Sequence, residues 1–573
     1  MTEMDKTALC QHKETIDKAV KACRERSYWS HFNESPKGYG EGGQEAGEKE
    51  FLALIEKPFV LQQVNDAGHA GGEKSPFGIN FAVKYPACAV ETLVSSAKAA
   101  QTSWAKAPFE ERALLCVELL SRINKLSHLM AYATMHTTGQ PWMMSFQAGG
   151  PHAQDRALEA IAYAYEAMSQ VPQDVIWEKP QGKQPPITLA KHFQIVPRGV
   201  AVVIGCATFP NWNSYPGLFA SLVCGNPVIV KPHPMGILPL AILVSEGQKL
   251  LKEAGFDPAV LQLAVDTLAA PITKKLVEHK DVKIIDFTGG PAFGQWLEEN
   301  IKHALLFTEK AGVNSVVIDS VEDLDAVAKN LSLSVSLYSG QMCTAPQNIF
   351  IPKGGIETAS GKKSFEDVVA AITKANSGLL GDDARAADVL GALQSADTLK
   401  RLEGEGKKPG VALASRKVEN AKFPQAQIHT PLFIELESSQ AERFGQEMFG
   451  PIVYFIKTAD SAESLKLASQ LAKDKGAISA SVYSTDEKFQ QQACEMFFDA
   501  GVNVSFNLTG NIWVNQSAAF SDFHVSGANP AGNACLTDMA FVANRFRVIA
   551  SRVLKPAVQA EAAAAPGLAA SRS

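Results

Sequence analysis

The chain predicts an α/β protein built from two parallel-sheet units in tandem. Three observations carry this reading. Apolar strand-length runs alternate with helical periodicity between Pro197 and Val317, and a second such series starts near Asn314. The 573 residues also exceed what one compact core organises. Strand–helix alternation with short turns builds a parallel sheet covered by helices, and ligands then sit beyond the carboxyl ends of the strands.

Taken in order, residues 1–85 read as an N-terminal extension, with an amphipathic helix over 5–26 and a Gly-rich stretch over 67–72. Helical spacing follows over 90–127 and 153–168, where apolar residues recur every three or four positions. Pro185-Pro186 opens a β-rich stretch over 187–196. The first α/β unit, 86–310, then has strands over 200–205, 227–231, 260–265 and 283–287, with helices over 218–224, 238–253 and 272–279 between them. The second unit, 311–510, runs through 314–319, 324–338, 347–351, 365–374 and 478–483. Residues 511–556 return to the first unit. The Ala-rich end, 557–573, lacks the apolar content of a packed element and reads as a disordered tail.

Bulk chemistry narrows the function. Hydrophobic residues are 46% and charged residues 20%, and 54 basic against 60 acidic side chains leave −6, spread without runs. No basic footprint for nucleic acid or an anionic membrane results, and no apolar stretch has membrane-span length. The nine cysteines show no metal-ligand spacing, so no metal is expected; their scatter suits a reducing cytoplasm.

Four segments have the residue types of a reactive site. Ser339-Gly340-Gln341-Met342-Cys343-Thr344-Ala345 surrounds a cysteine with small residues, which let a substrate and backbone N–H groups approach the sulfur. Leu306-Phe307-Thr308-Glu309-Lys310-Ala311-Gly312 places a carboxylate before a Gly turn, a position for a mobile general base. Asp286-Phe287-Thr288-Gly289-Gly290-Pro291 joins a strand to a helix, where glycines admit a phosphate to the helix N-terminus. In Pro227–Pro234, Lys231 ends a strand and suits an anion or a ribose hydroxyl. Each segment alone also fits a bland role: a buried thiol, a solvated loop charge, a plain turn, a solvated lysine.

In this order, over about 90–552, the segments resemble the aldehyde dehydrogenase superfamily. The 34-residue separation of Glu309 and Cys343, the Phe287-Thr288-Gly289-Gly290 turn and Glu447-Met448-Phe449-Gly450-Pro451 carry the resemblance. It implies that fold, with strands over 185–198 and 546–553 forming an oligomerisation sheet, hence a homodimer or homotetramer. It further implies a Cys343 nucleophile, a Glu309 base that hydrolyses a cysteine thioester, and NAD or NADP held by Lys231, Gly289, Gly290, Glu447 and Phe449.

Two departures from the family pattern matter. An ungapped alignment puts Thr208 where an oxyanion-binding asparagine is usual; a shifted one uses Asn213. Pro234 replaces a ribose-binding glutamate, so that Lys231 and His233 are expected to favour the 2′-phosphate of NADP. Ser27-Tyr28-Trp29-Ser30, Phe209-Pro210-Asn211-Trp212-Asn213 and Val230-Lys231-Pro232-His233-Pro234 look closest to the phenylacetic acid degradation branch. That branch implies a ring-cleavage semialdehyde, free or linked to coenzyme A. The alternatives are a coenzyme A-acylating dehydrogenase and a non-catalytic protein of the same fold.

Overall fold

In a computed structural model the described residues are 6–310 and 312–556. Two parallel sheets organise the chain. The first has five strands in the order Leu261–Leu263, Val228–Lys231, Val200–Ile204, Val282–Gly289, Leu305–Lys310, all parallel. Its three central strands are almost wholly buried, as expected for near-continuous Val/Ile runs covered on both faces. The second has seven strands, parallel except for the edge strand Val411–Leu413, with Ser315–Ile318 near its centre.

Several elements differ from the sequence reading for identifiable reasons. The helix expected over 218–224 spans Pro210–Val223, with Pro216 inside it. Pro and Asn around 210–216 read as turn signals, but Pro210 occupies the first turn, where its missing N–H costs nothing. The strand expected over 260–265 is only Leu261–Leu263. Glu309 was expected before a loop; it lies on the strand Leu305–Lys310, paired with Thr288, and is buried. The expected tail, 557–573, lies outside the described residues.

A third, antiparallel sheet projects from these two. Gln184–Pro197 pairs with Phe546–Leu554 in unbroken register from Phe546↔Pro197 to Leu554↔Leu189, and on its other edge with Asp174–Gln181. The strand Asp174–Gln181 was missed because its sequence shows no regular alternation. Ile176, Ile549, Val553 and Leu554 are exposed on this sheet.

Arg545 sits immediately before the final strand and is fully buried. Its guanidinium grips Asp286 through two hydrogen bonds (2.5 and 2.8 Å), donates to Ser221 Oγ (2.8 Å), and lies 4.4 Å from the Phe307 ring centroid. The helix backbone comes so close here that a Cβ on Gly217 would lie 2.5 Å from the Asp286 carboxyl carbon. Only glycine fits. The N-terminal helix Lys6–Glu25 packs on Pro151–Ser169, and Gly43–Ile55 on Ser127–Thr138.

Candidate active site

Cys343 follows three consecutive left-handed residues: Tyr338, Ser339 and Gly340, at φ 52°, 51° and 63°. Non-glycine residues avoid this region, so the surroundings must hold it. Tyr338 Oη donates to Thr138 O (2.5 Å), Ser339 Oγ to Leu390 O (3.1 Å) and Gln341 Nε2 to Ala392 O (3.1 Å). Gly340 is required twice over, since a Cβ there would lie 2.5 Å from Gly450 O. Asn314 then fixes the loop beyond: its Nδ2 donates to Cys343 O (2.7 Å) and Ala345 O (3.0 Å), while its Oδ1 accepts from Ile478 and Ser479 N–H. The sequence reading did not single out Asn314.

The Cys343 sulfur meets a group that the sequence reading missed. His524 Nε2 lies 3.5 Å from Cys343 Sγ and 3.2 Å from Glu309 Oε1. The three donor atoms all fall within 4.8 Å of one another. Asn213 Nδ2 donates to the same Glu309 oxygen (3.2 Å), whereas Glu309 Oε2 and His524 Nδ1 are buried without partners. Burial, then the negative Glu309, then Cys206 and Glu447, push the Cys343 thiol well above its ordinary pKa. A thiolate there needs help to form.

Thr208 and Asn213 are placed differently. The Thr208 hydroxyl lies 4.0 Å from Cys206 Sγ, and the Thr208 carbonyl accepts from Gln140. Asn213, on the first turn of Pro210–Val223, lines the same cavity as Cys343; Thr208 is not among the cavity's lining residues. That placement goes against the preference for Thr208 and matches the shifted alignment.

The cavity measures about 640 Å³. Met143, Met144, Phe209, Trp212 and Trp513 line it, together with Tyr28, Trp29 and Glu34 from the N-terminal segment. Asp155 ties that segment down, accepting from Ser30 Oγ (2.7 Å) and the His31 backbone N–H (3.0 Å). Among the described residues lining the cavity there is no lysine or arginine.

Of the residues expected at a cofactor, Lys231, Gly289 and Gly290 lie at strand ends of the first sheet, whereas Glu447 and Phe449 precede the strand Ile452–Thr458 of the second. Gly290 precedes the helix Pro291–Asn300, and a Cβ on it would meet nothing within 4 Å, so the helix start is open to a ligand. Gly289 is confined instead, with the Phe287 ring 2.7 Å from a hypothetical Cβ. Burial lifts the Glu447 carboxyl to about 7 against the pull of Arg401, which also donates to Phe449 O (2.5 Å). An open helix N-terminus fits the phosphates of a dinucleotide.

Lys231 and His233 do not offer the free charges expected of them. Lys231 is buried and paired with Asp266 at 2.7 Å. His233 accepts the Met235 N–H on Nδ1 (3.2 Å), and burial together with Lys231 lowers its pKa to about 4. It is neutral at pH 7.

Cys343 and Asn213 thus line one cavity, with the Glu309 carboxylate held behind them by Asn213 and His524. Comparisons with known proteins give the class. The profile described as "Aldehyde dehydrogenase family" matches residues 82–534. The structure of an NAD-dependent aldehyde dehydrogenase from Burkholderia multivorans is 48% identical, with TM-score 0.94, covering 97% of this chain and all of that one. An N-succinylglutamate 5-semialdehyde dehydrogenase from Burkholderia multivorans is 25% identical over 67% of this chain and 74% of its own length. The fold is shared more widely, as in an NADP-dependent glyceraldehyde-3-phosphate dehydrogenase from Bacillus halodurans (18% identity, TM-score 0.69, 87% of this chain and 99% of that one).

The chain belongs to the aldehyde dehydrogenase family. It is an oxidoreductase of the aldehyde group with a nicotinamide dinucleotide as acceptor.

Proposed function

We propose that this enzyme oxidises an aldehyde to a carboxylic acid through a thioester on Cys343. The observation that carries the reading is that Cys343 and Asn213 line one cavity while the buried Glu309 clusters directly behind them, held by Asn213 and His524. The Cys343 sulfur attacks the aldehyde carbon, and the resulting oxyanion is met by the Cys343 backbone N–H and the second N–H of the Asn213 amide, whose first holds Glu309. The bound dinucleotide supplies a hydride acceptor. Glu309 then takes a proton from the water that cleaves the thioester. A thiol acceptor such as coenzyme A needs no such base, so the carboxylate favours hydrolysis.

The substrate reading goes further than the family. N-succinylglutamate semialdehyde carries carboxylates, and a cavity lined by Met, Phe and Trp without a cation offers them no partner. The same lining suits the uncharged body of an aromatic-derived aldehyde. We therefore favour a ring-cleavage semialdehyde of phenylacetate breakdown, free or as its coenzyme A thioester. The N-terminal segment contributes to its selection, since Tyr28, Trp29 and Glu34 line the channel.

The acceptor is NAD rather than NADP. With Lys231 tied to Asp266 and His233 neutral, no free cation remains among these residues for a 2′-phosphate. The similar Burkholderia protein, named NAD-dependent, agrees. The exposed apolar face of the antiparallel sheet supports a homo-oligomer paired across subunits, and the scattered cysteines still favour a cytoplasmic setting. Following dinucleotide reduction with both acceptors against aromatic, aliphatic and coenzyme A-linked aldehydes tests the whole reading. A preference for succinylglutamate semialdehyde, or for NADP, would overturn the corresponding part.

A further inference from the structure

We propose that His524 serves the first chemical step as a hydrogen-bond donor to the Cys343 sulfur rather than as the base that takes its proton. The inference rests on Cys343 being the nucleophile, and it concerns a residue no local motif marks. One nitrogen, Nε2, faces both Cys343 Sγ (3.5 Å) and Glu309 Oε1 (3.2 Å). The other, Nδ1, is buried with no partner. A proton on Nδ1 would be an unmet buried donor, whereas a proton on Nε2 has a carboxylate to meet, so the neutral ring carries its hydrogen on Nε2. An Nε2 that already bears hydrogen cannot accept the thiol proton.

Glu309 can. Its Oε2 is buried and unpartnered, and Glu309 and Cys343 lie within the same 4.8 Å cluster. In the step, the Cys343 S–H bond breaks, an O–H bond forms on Glu309, and the electron pair stays on sulfur. One negative charge moves from carboxylate to sulfur, so the net charge of the site is unchanged. Glu309, now neutral, is a weaker acceptor, and the His524 N–H shifts its hydrogen bond to the thiolate. The proton must leave Glu309 before Glu309 can serve the water of the second step.

The other groups around the pair do not substitute for this donor. Cys206 and Glu447 both act on Cys343 in the sense that disfavours a thiolate. Trp212 packs edge-on against the His524 ring at 4.5 Å, and Arg156 lies 5.3 Å from the Trp212 ring centroid. The Arg156 guanidinium is engaged by Glu159 and Asp522 O. Asn503 holds the His524 carbonyl (2.9 Å) and so fixes the ring's position.

The test is the rate of Cys343 alkylation by iodoacetamide across pH, followed by peptide mass spectrometry in the full-length protein. His524→Gln keeps an N–H near the Nε2 position, His524→Asn has too short a side chain to reach the sulfur, and His524→Leu has no donor. Hydrogen bonds to charged groups are strong enough that His524→Leu and His524→Asn should alkylate roughly ten- to a hundredfold more slowly at neutral pH. Their thiol titration should move up by about one to two pH units, while His524→Gln should recover most of the rate. Equal rates in all four proteins would remove His524 from the step. A Gln variant as slow as the Leu variant would make the imidazole a base. If the Leu variant does not fold, the Gln and Asn pair still decides. Cys343→Ser separates the underlying reading: if it retains aldehyde oxidation, the nucleophile assignment fails whatever His524 does.

Discussion

Replacing Glu309 with glutamine probes the proposed chemistry with little disturbance of packing. Oε1 accepts from Asn213 and His524, each at 3.2 Å, and a glutamine oxygen can keep both bonds. The change falls on Oε2, which has no partner in the resting protein. What is lost is a proton acceptor. General-base catalysis contributes roughly 10²–10⁴-fold, or about 2.7–5.5 kcal/mol of barrier at 1.36 kcal/mol per decade, and steady-state turnover should fall by that factor. Stopped-flow absorbance should show one equivalent of reduced dinucleotide per subunit, followed by a slow phase. Raising the pH should quicken the first phase, because hydroxide can then ionise the thiol, while the slow phase stays far below that of the unaltered enzyme. Intact mass should reveal an acyl group on Cys343. Turnover equal to the unaltered enzyme, or loss of turnover with no accumulated adduct even at the raised pH where hydroxide ionises the thiol, would refute the assignment.

Three further outcomes follow from the geometry. Asp286→Ala leaves the Arg545 guanidinium buried without its carboxylate, and breaking such a pair costs about 3–5 kcal/mol; chemical denaturation should show that loss. Glu447, lifted to about 7 by burial, is protonated below that pH, so the KM for the dinucleotide should rise as pH falls through about 7, and Glu447→Gln should flatten the profile. Ile549→Asp puts a charge on the exposed apolar face of the antiparallel sheet, and sedimentation should show a smaller species than the unaltered protein if that face pairs subunits.

How much of this was legible depended on whether the signal was local. The two parallel sheets announce themselves through Val/Ile runs such as Val200–Ile204 and Val228–Lys231, since a strand buried on both faces has few polar positions. The segments carrying Cys343 and Glu309 were visible because small residues cluster around one and a short apolar run precedes the other. The strand Asp174–Gln181 was invisible, because pairing with Gln184–Pro197 rather than its own pattern makes it a strand. His524 lies 181 residues beyond Cys343 and carries no neighbouring motif, so only the fold brings it to the sulfur. Lys231 and His233 looked like free cations for the same reason: the partners that quench them, Asp266 and the Met235 N–H, are supplied by the folded backbone. Asn213 was found only as a second choice, because counting back from Gly225-Asn226 cannot register a helix that starts at its first proline.

The Arg545 joint ties the antiparallel sheet to the first parallel sheet. The strand that follows it, Phe546–Leu554, forms an outer edge of the molecule, while the guanidinium itself reaches inward to Asp286 and the Phe307 ring. Phe307 stands two residues before Glu309 on the same strand. One buried side chain therefore joins the outermost strand to the strand that bears Glu309, so that the end of the chain closes the architecture around the carboxylate.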